Sequence, residues 1–222
     1  MIWVAMYAAL KIGLADPPGE WTRRDAVVLS AVVILSFLPI SFAANAGLLG
    51  CGIYLFATSR QGEPAWRVSL VLLALTSPLI WGRVLLHIFA VPILALDAQL
   101  VAAITASPVD GNLVRGASDA PRMLIGGPCS SVHNMSLAIL LWTTAAVLLN
   151  IRIDRRYVAA GLAMVVFMFV LNVARLATIA VFPDQYELLH VGAGAAAFSW
   201  AGLIGAGFIA FRGVIGAAER QR

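Results

Sequence analysis

The feature that most constrains this chain is a set of long apolar runs broken by short arginine-bearing connections. Residues 67–90, 132–150, 157–180 and 188–211 each hold about 20 predominantly apolar residues, the length that crosses a bilayer as a helix. Residues 26–43 form a fifth candidate, and the shorter 2–15 and 45–58 add two weaker ones. Open sheet edges leave unsatisfied backbone groups in hydrocarbon, so the expected fold class is all-α. The expectation is a polytopic integral membrane helical bundle of about seven spans. The chain is 61% hydrophobic and only 12% charged, against about 45–50% and about 25% in soluble domains, which excludes an ordinary water-soluble core.

Charge placement gives an orientation. Ten of the fifteen basic residues fall in four regions: Arg23 and Arg24; Arg60 and Arg67; Arg152, Arg155 and Arg156; and Arg212, Arg220 and Arg222. Assigned to the cytoplasm, these regions alternate consistently with seven spans, N-terminus out and C-terminus in. The 181–187 connection VFPDQYE and the 106–131 segment then fall outside. No basic run suggests nucleic acid. The N-terminal MIWVAMYAALK has no basic stretch before its apolar run and no small-residue cleavage site after it, so it is not read as a removable signal.

The organisation is a single membrane domain over 1–222. It has N-terminal spans in 1–66, a core in 67–211 with an extracytoplasmic segment at 91–131, and a cytoplasmic tail at 212–222. Pro78 is expected to kink the 67–90 helix. VPILALDAQLVAAITASP (91–108) carries a polar residue every few positions and reads as an interfacial amphipathic helix over 93–106. VDGNLVRGASDAPRMLIGGP (109–128) has the Gly, Asp, Pro and Ser content of a loop.

Placed on this map, three reactive side chains come to one face: Cys129 at the outer start of the 132–150 helix, Arg175 about two turns below the outer end of 157–180, and His190 at the outer start of the last helix. A cysteine at a helix N-terminus sits where the dipole and free N–H groups favour a thiolate. Histidine is the usual base near neutral pH. Arginine holds a thiolate, an oxyanion or a carboxylate but cannot act as a base. Together they suit acyl transfer through a thioester. Cys51, in GLLGCGIYLF, reads as a small hydrophobe.

Asn172, Ser130, Ser131 and His133 are candidates for orienting this site or touching substrate. Asn172 shares a helix face with Arg175 and either orients its guanidinium or bonds a neighbouring helix. His133 is the rival base to His190, but its geometry fails if a serine caps a helix starting at Ser130 or Ser131. Three histidines and one outward cysteine without close ligand pairs do not make a zinc site, and no cofactor motif is present. Arg83 and His87 either pack or line a cavity. Gly192, Gly194, Gly202, Gly205 and Gly207 suit close helix packing.

GGPCSS (126–131) before a span, NVAR (172–175) inside the next and ELLHVGAG (187–194) opening the last resemble the exosortase/archaeosortase family of multi-pass membrane cysteine transpeptidases. The resemblance covers residues 68–211. It implies Cys129 as nucleophile, His190 as acid/base and Arg175 as electrostatic partner. It also implies membrane-anchored protein substrates with a C-terminal signal made of a Pro-Glu-Pro-like motif, a transmembrane helix and a basic tail, with the cut chain passed to a lipid or envelope acceptor. The chain departs from the family at Ser131, where glycine is usual. The competing expectation from the residues alone is a multi-pass transporter or ligand-binding membrane protein with Arg175, Arg83 and His87 along a path.

Overall fold

The computed structural model describes residues 2–15, 21–40, 42–115, 122–151 and 154–218. Helices α1 (Ile2–Leu14), α2 (Arg23–Phe37) and α3 (Ala43–Thr58) form the N-terminal part. Helix α4 (Pro64–Thr76) runs through a π turn at Ser77–Trp81 into α5 (Gly82–Thr105). Then come three short strands, β1 (Val109–Asp110), β2 (Leu113–Arg115) and β3 (Arg122–Leu124). Helices α6 (Ser131–Leu148), α7 (Arg155–Val181), the single-turn α8 (Tyr186–His190) and α9 (Ala193–Ala218) complete the chain.

Among the described residues, four helical runs are long and apolar enough to cross a membrane: Pro64–Thr105, Ser131–Leu148, Arg155–Val181 and Ala193–Gly213. Helices α1 and α3 are apolar but shorter. The expected 26–43 span is not one helix, because α2 stops at Phe37 and Leu38 turns extended, as the residue before a proline tends to do. The expected 188–211 span is also two pieces, since the chain breaks at Val191–Gly192 between α8 and α9.

Two prolines shape the longest run. Pro78 sits in the π turn, where the expected kink takes the form of a widened turn. Pro92 lacks an N–H and crowds the carbonyl four residues back, and Phe89 (φ −117°, ψ 27°) leaves helical geometry there. The part of α5 beyond Phe89 is helical over the expected stretch, starting a few residues earlier, but its exposed face carries Val91, Leu96 and Ile104 and its one acid is buried, so it is not polar on the outside as expected. It buries Asp97, Ala98, Val101 and Ala102 on one face. It ends at Ala106 in the left-handed region, φ 51°.

The 109–128 loop expectation is corrected in part. Its described residues form an antiparallel meander ordered β1-β2-β3, with Val109 opposite Val114 and Val114 opposite Met123. Strands of two or three residues are too short to show alternation in a sequence. The tight turn takes Gly111 at φ 58°, which glycine adopts without strain. Asn112 closes the sheet against the next segment: its Nδ2 donates to Ile125 O at 2.9 Å, and the Ile125 amide donates to Asn112 O at 3.0 Å. Ile125 is fully buried, so the chain enters Gly126–Cys129 from a fixed point.

The bundle has two chemically different ends. Gly13 of α1 faces Val68 of α4, Arg67 of α4 bonds Val147 O of α6, and Gly213 of α9 faces Tyr157 and Ala160 of α7. These contacts gather Arg67, Arg155, Arg156 and Arg212 at one end, opposite Cys129 and the sheet. Arg152, Arg220 and Arg222 lie outside the described residues. Around the Cys129 end, α5, β2, α7 and α8 share a buried cluster including Ala98, Val101, Val114, Ile125, Leu176 and Leu189, against which Cys129 packs. Of the last-helix glycines, Gly202 and Gly205 do meet α7, at Met168 and Phe167. Gly192 and Gly194 crowd Leu188 of α8 instead, and Gly207 has open space around it.

Candidate active site

Cys129 is the last residue of a 3-10 turn, Gly127–Cys129, that its amide closes onto Gly126 O at 3.0 Å. Ser130 follows in extended conformation as the N-cap of α6, its hydroxyl accepting from the Val132 amide at 3.3 Å. The helix therefore starts after the cysteine, at Ser131. This is the condition under which His133 is not presented on one helix face with Cys129, and His133 is exposed. The Cys129 Sγ instead lies 3.2 Å from Nε2 of His190, 61 residues later. Either atom can hold the shared proton, depending on the histidine tautomer. Both residues are partly buried.

His190 ends the single turn α8. Tyr186, one turn earlier, stacks on its ring with centroids 4.8 Å apart and planes 12° from parallel. Among the described residues no side chain bonds Nδ1, so the ring is positioned by stacking and by the buried neighbour Leu189 rather than by a carboxylate.

Beneath the cysteine runs a directed chain of hydrogen bonds. Asn134 Nδ2 donates to Asn172 Oδ1 at 2.8 Å. Asn172 Nδ2 donates to Cys129 O at 2.8 Å and to Ser131 Oγ at 3.2 Å. Ser131 Oγ donates to Asp97 Oδ1 at 2.8 Å, and the Ser131 amide donates to Asp97 Oδ2 at 3.1 Å. Because Cys129 O only accepts, the orientation of the Asn172 amide follows, and with it every donor along the chain. Asp97, Ser131 and Asn172 are 2–3% exposed, and buried polar groups of this kind are stable only when satisfied. Asn172 thus ties helices rather than orienting Arg175.

The expectation that the α6 N-terminus serves the thiol is corrected. Its first free amides are taken by Asp97 and by Ser130, and the positive end of the helix faces the Asp97 carboxylate. Ser131 is the residue that makes this contact.

Arg175 lies on α7 three residues after Asn172 and lines a small pocket with it. Among the described residues it hydrogen-bonds neither Cys129 nor His190, and its Nε is buried without a partner. It borders a cavity of about 30 Å³ with Asn134, Asn172, Phe198 and Ser199. Arg83 and His87 are exposed on α5. Cys51 is a free, partly buried thiol. No group of three or more His, Cys, Asp or Glu is placed to hold a metal ion among the described residues.

Sequence reasoning missed Asp97, Asn134 and Tyr186. Asp97 had a signal, being the one acid in an apolar stretch, where a charge demands a partner. Tyr186 lies four residues before His190, the spacing of one helical turn. Asn134 had no signal short of the fold. Searched against known proteins, the chain matches no family model, no curated protein and no solved structure.

Proposed function

We propose that this chain is a membrane-embedded cysteine peptidase or transpeptidase, similar in kind to the exosortases, acting on protein substrates anchored by a C-terminal transmembrane signal. The observation that carries the reading is the 3.2 Å approach of Cys129 Sγ to His190 Nε2. A thiol alone is a weak nucleophile at neutral pH, and a histidine within hydrogen-bond reach is the standard means of activating one.

In this mechanism His190 Nε2 takes the Cys129 proton, and the thiolate attacks the scissile carbonyl carbon. His190 returns the proton to the departing amine, leaving a thioester on Cys129. Water or an acceptor amine attacks the thioester, giving its proton to His190, and the thiolate leaves and is reprotonated. The bonded main chain of Cys129 holds Sγ still through these steps. Arg175, without a carboxylate partner among the described residues, supplies a fixed positive field that favours negative charge developing nearby.

Seven spans, with α1, α2 and α3 added to the four long runs, put the thiol on the extracytoplasmic side when the arginine-rich end faces the cytoplasm. The 90–105 part of α5 and the small sheet then lie at the outer interface. A transporter path through Arg83 and His87 is disfavoured by their outward exposure.

The test is coexpression with a reporter bearing a Pro-Glu-Pro-type motif, a transmembrane helix and a basic tail. Loss of the tail in the wild type, abolished by Cys129→Ala and His190→Ala in variants that still insert, is the expected result. Tail removal that persists with Cys129→Ala removes the nucleophile and the proposal with it.

A further inference from the structure

At the opposite end of the bundle, a cleft of about 700 Å³ opens between the start of α4 and the end of α6. This volume is in the range of small-molecule sites, about 300–1,000 Å³. Its lining is divided. Leu70 and Val147 belong to the apolar part, while Gln61, Arg67 and Asn150 are polar, and Trp66 stands beside Arg67.

Arg67 is the residue that needs an explanation. Its Nη2 donates to Val147 O, a neutral carbonyl at the end of α6. Its Nε is buried and has no partner. The nearest carboxylate in sequence, Glu63, accepts instead from the Arg60 amide at 2.9 Å. No ion pair balances Arg67 among the described residues. A guanidinium partly withdrawn from water without an anion is costly, and a phosphate in the cleft meets its remaining N–H groups with charge-assisted hydrogen bonds.

We infer that this cleft binds an anionic glycerophospholipid, its phosphate on Arg67 and the start of an acyl chain along Leu70 and Val147. Free phosphate would use the polar rim and leave the apolar floor bare, so the divided lining favours the lipid. Trp66 fits the same placement, because tryptophan concentrates at headgroup depth. The surroundings add charge complementarity. Arg155 and Arg156 begin α7 at this end, and basic segments beside a membrane attract anionic lipid. The inference does not depend on the activity proposed for Cys129.

The test uses the full chain purified in a neutral maltoside detergent. Its thermal midpoint is titrated with dioleoylphosphatidylglycerol, dioleoylphosphatidylcholine and inorganic phosphate, and retained lipid is counted by native mass spectrometry. Phosphatidylglycerol should raise the midpoint saturably, and one molecule should be retained. Arg67→Met should weaken its apparent affinity about tenfold, and Gln61→Ala about threefold. Gln61 is exposed in the α3–α4 turn, so that variant keeps the test valid if losing the Arg67–Val147 bond prevents folding. Arg156→Met, an exposed arginine at the same end that does not line the cleft, should weaken binding less than Arg67→Met does. Equal stabilisation by phosphatidylcholine or by phosphate alone overturns the inference. So does undiminished binding in both cleft variants, or the absence of any shift in the wild type.

Discussion

Asp97 and Ser131 are joined by two hydrogen bonds, one from the Ser131 amide at 3.1 Å and one from its hydroxyl at 2.8 Å. The pair fastens α5 to the first residue of α6, two positions after the cysteine. Through Ser131 Oγ it reaches Asn172, which holds the Cys129 carbonyl. Asp97→Ala leaves the Ser131 amide and hydroxyl without their acceptor. The expected loss is about 1.5–3 kcal/mol in detergent unfolding. Asp97→Ala combined with Ser131→Ala should recover part of that loss, because removing both partners is milder than orphaning one. A double variant as unstable as the sum of its singles would show that the pair is not coupled.

The two histidines at this end should separate cleanly. His190→Ala is expected to lower tail removal by about 10²–10⁴-fold, the usual contribution of a positioned acid/base. His133→Ala, exposed on α6, should leave the rate unchanged. The processing assay reads both, and a reversed order would reassign the base.

Stacking, rather than a carboxylate, fixes the His190 ring, so aromaticity at position 186 is what counts. Tyr186→Phe should retain the wild-type rate. Tyr186→Ala should lose up to about tenfold, in line with roughly 0.5–1.5 kcal/mol for an aromatic pair. Equal losses in the two variants would point to the hydroxyl instead.

Helix packing makes a second, independent prediction. A Cβ on Gly161 would stand 2.7 Å from Trp142 Cε2. Trp142 cannot swing away cheaply: its Nε1 donates to Tyr157 O at 2.9 Å, the Tyr157 hydroxyl donates to Trp142 O at 3.1 Å, and the two rings stack. Gly161→Ala should therefore destabilise by about 1–3 kcal/mol. Gly207→Ala, with open space around it, should be neutral or gain about 0.5–1 kcal/mol from the better helix former. Unfolding midpoints of the two variants check both signs.

Acid sensitivity has a local source at the start of α2. The Tyr54 hydroxyl donates to Asp25 Oδ1 at 2.7 Å, and the Thr22 hydroxyl and amide donate to Oδ2 at 2.7 and 2.8 Å. These bonds hold the Asp25 carboxyl below its ordinary value of 3.8, Tyr54 contributing most. A depressed folded-state value means the stabilisation is complete above 3.8 and is lost as pH falls through the lower folded value. Tyr54→Phe should lower the midpoint near neutral pH and shrink its fall in acid. An unchanged acid profile would show that the α2–α3 tie contributes nothing.

How far the sequence reveals this molecule depends on the range over which each cause acts. Apolar run length locates α7 within a residue or two, because lipid-compatible composition is a local property. The Ser130 cap is equally local. Pro78 was legible as a distortion, whereas Pro92 acts three residues upstream at Phe89 and is hidden inside an otherwise regular pattern. The meander escaped notice because its pairing is set by Asn112 and Ile125, thirteen residues apart, rather than by alternation. In the site, residue chemistry suffices to single out Cys129 and His190. Asp97 and Asn134 acquire their places only when α5, α6 and α7 meet.

The distance along the chain between Cys129 and His190 has a consequence for biogenesis. At about 5–20 residues per second, a ribosome adds the intervening 61 residues in roughly 3–12 s. Throughout that interval the newborn thiol has no partner ring, and it gains one only when α8 has been made and lodged beside α7. Under the proposed mechanism the thiol gains its base only with the docking of these last segments, so a product truncated before them would lack the proposed chemistry.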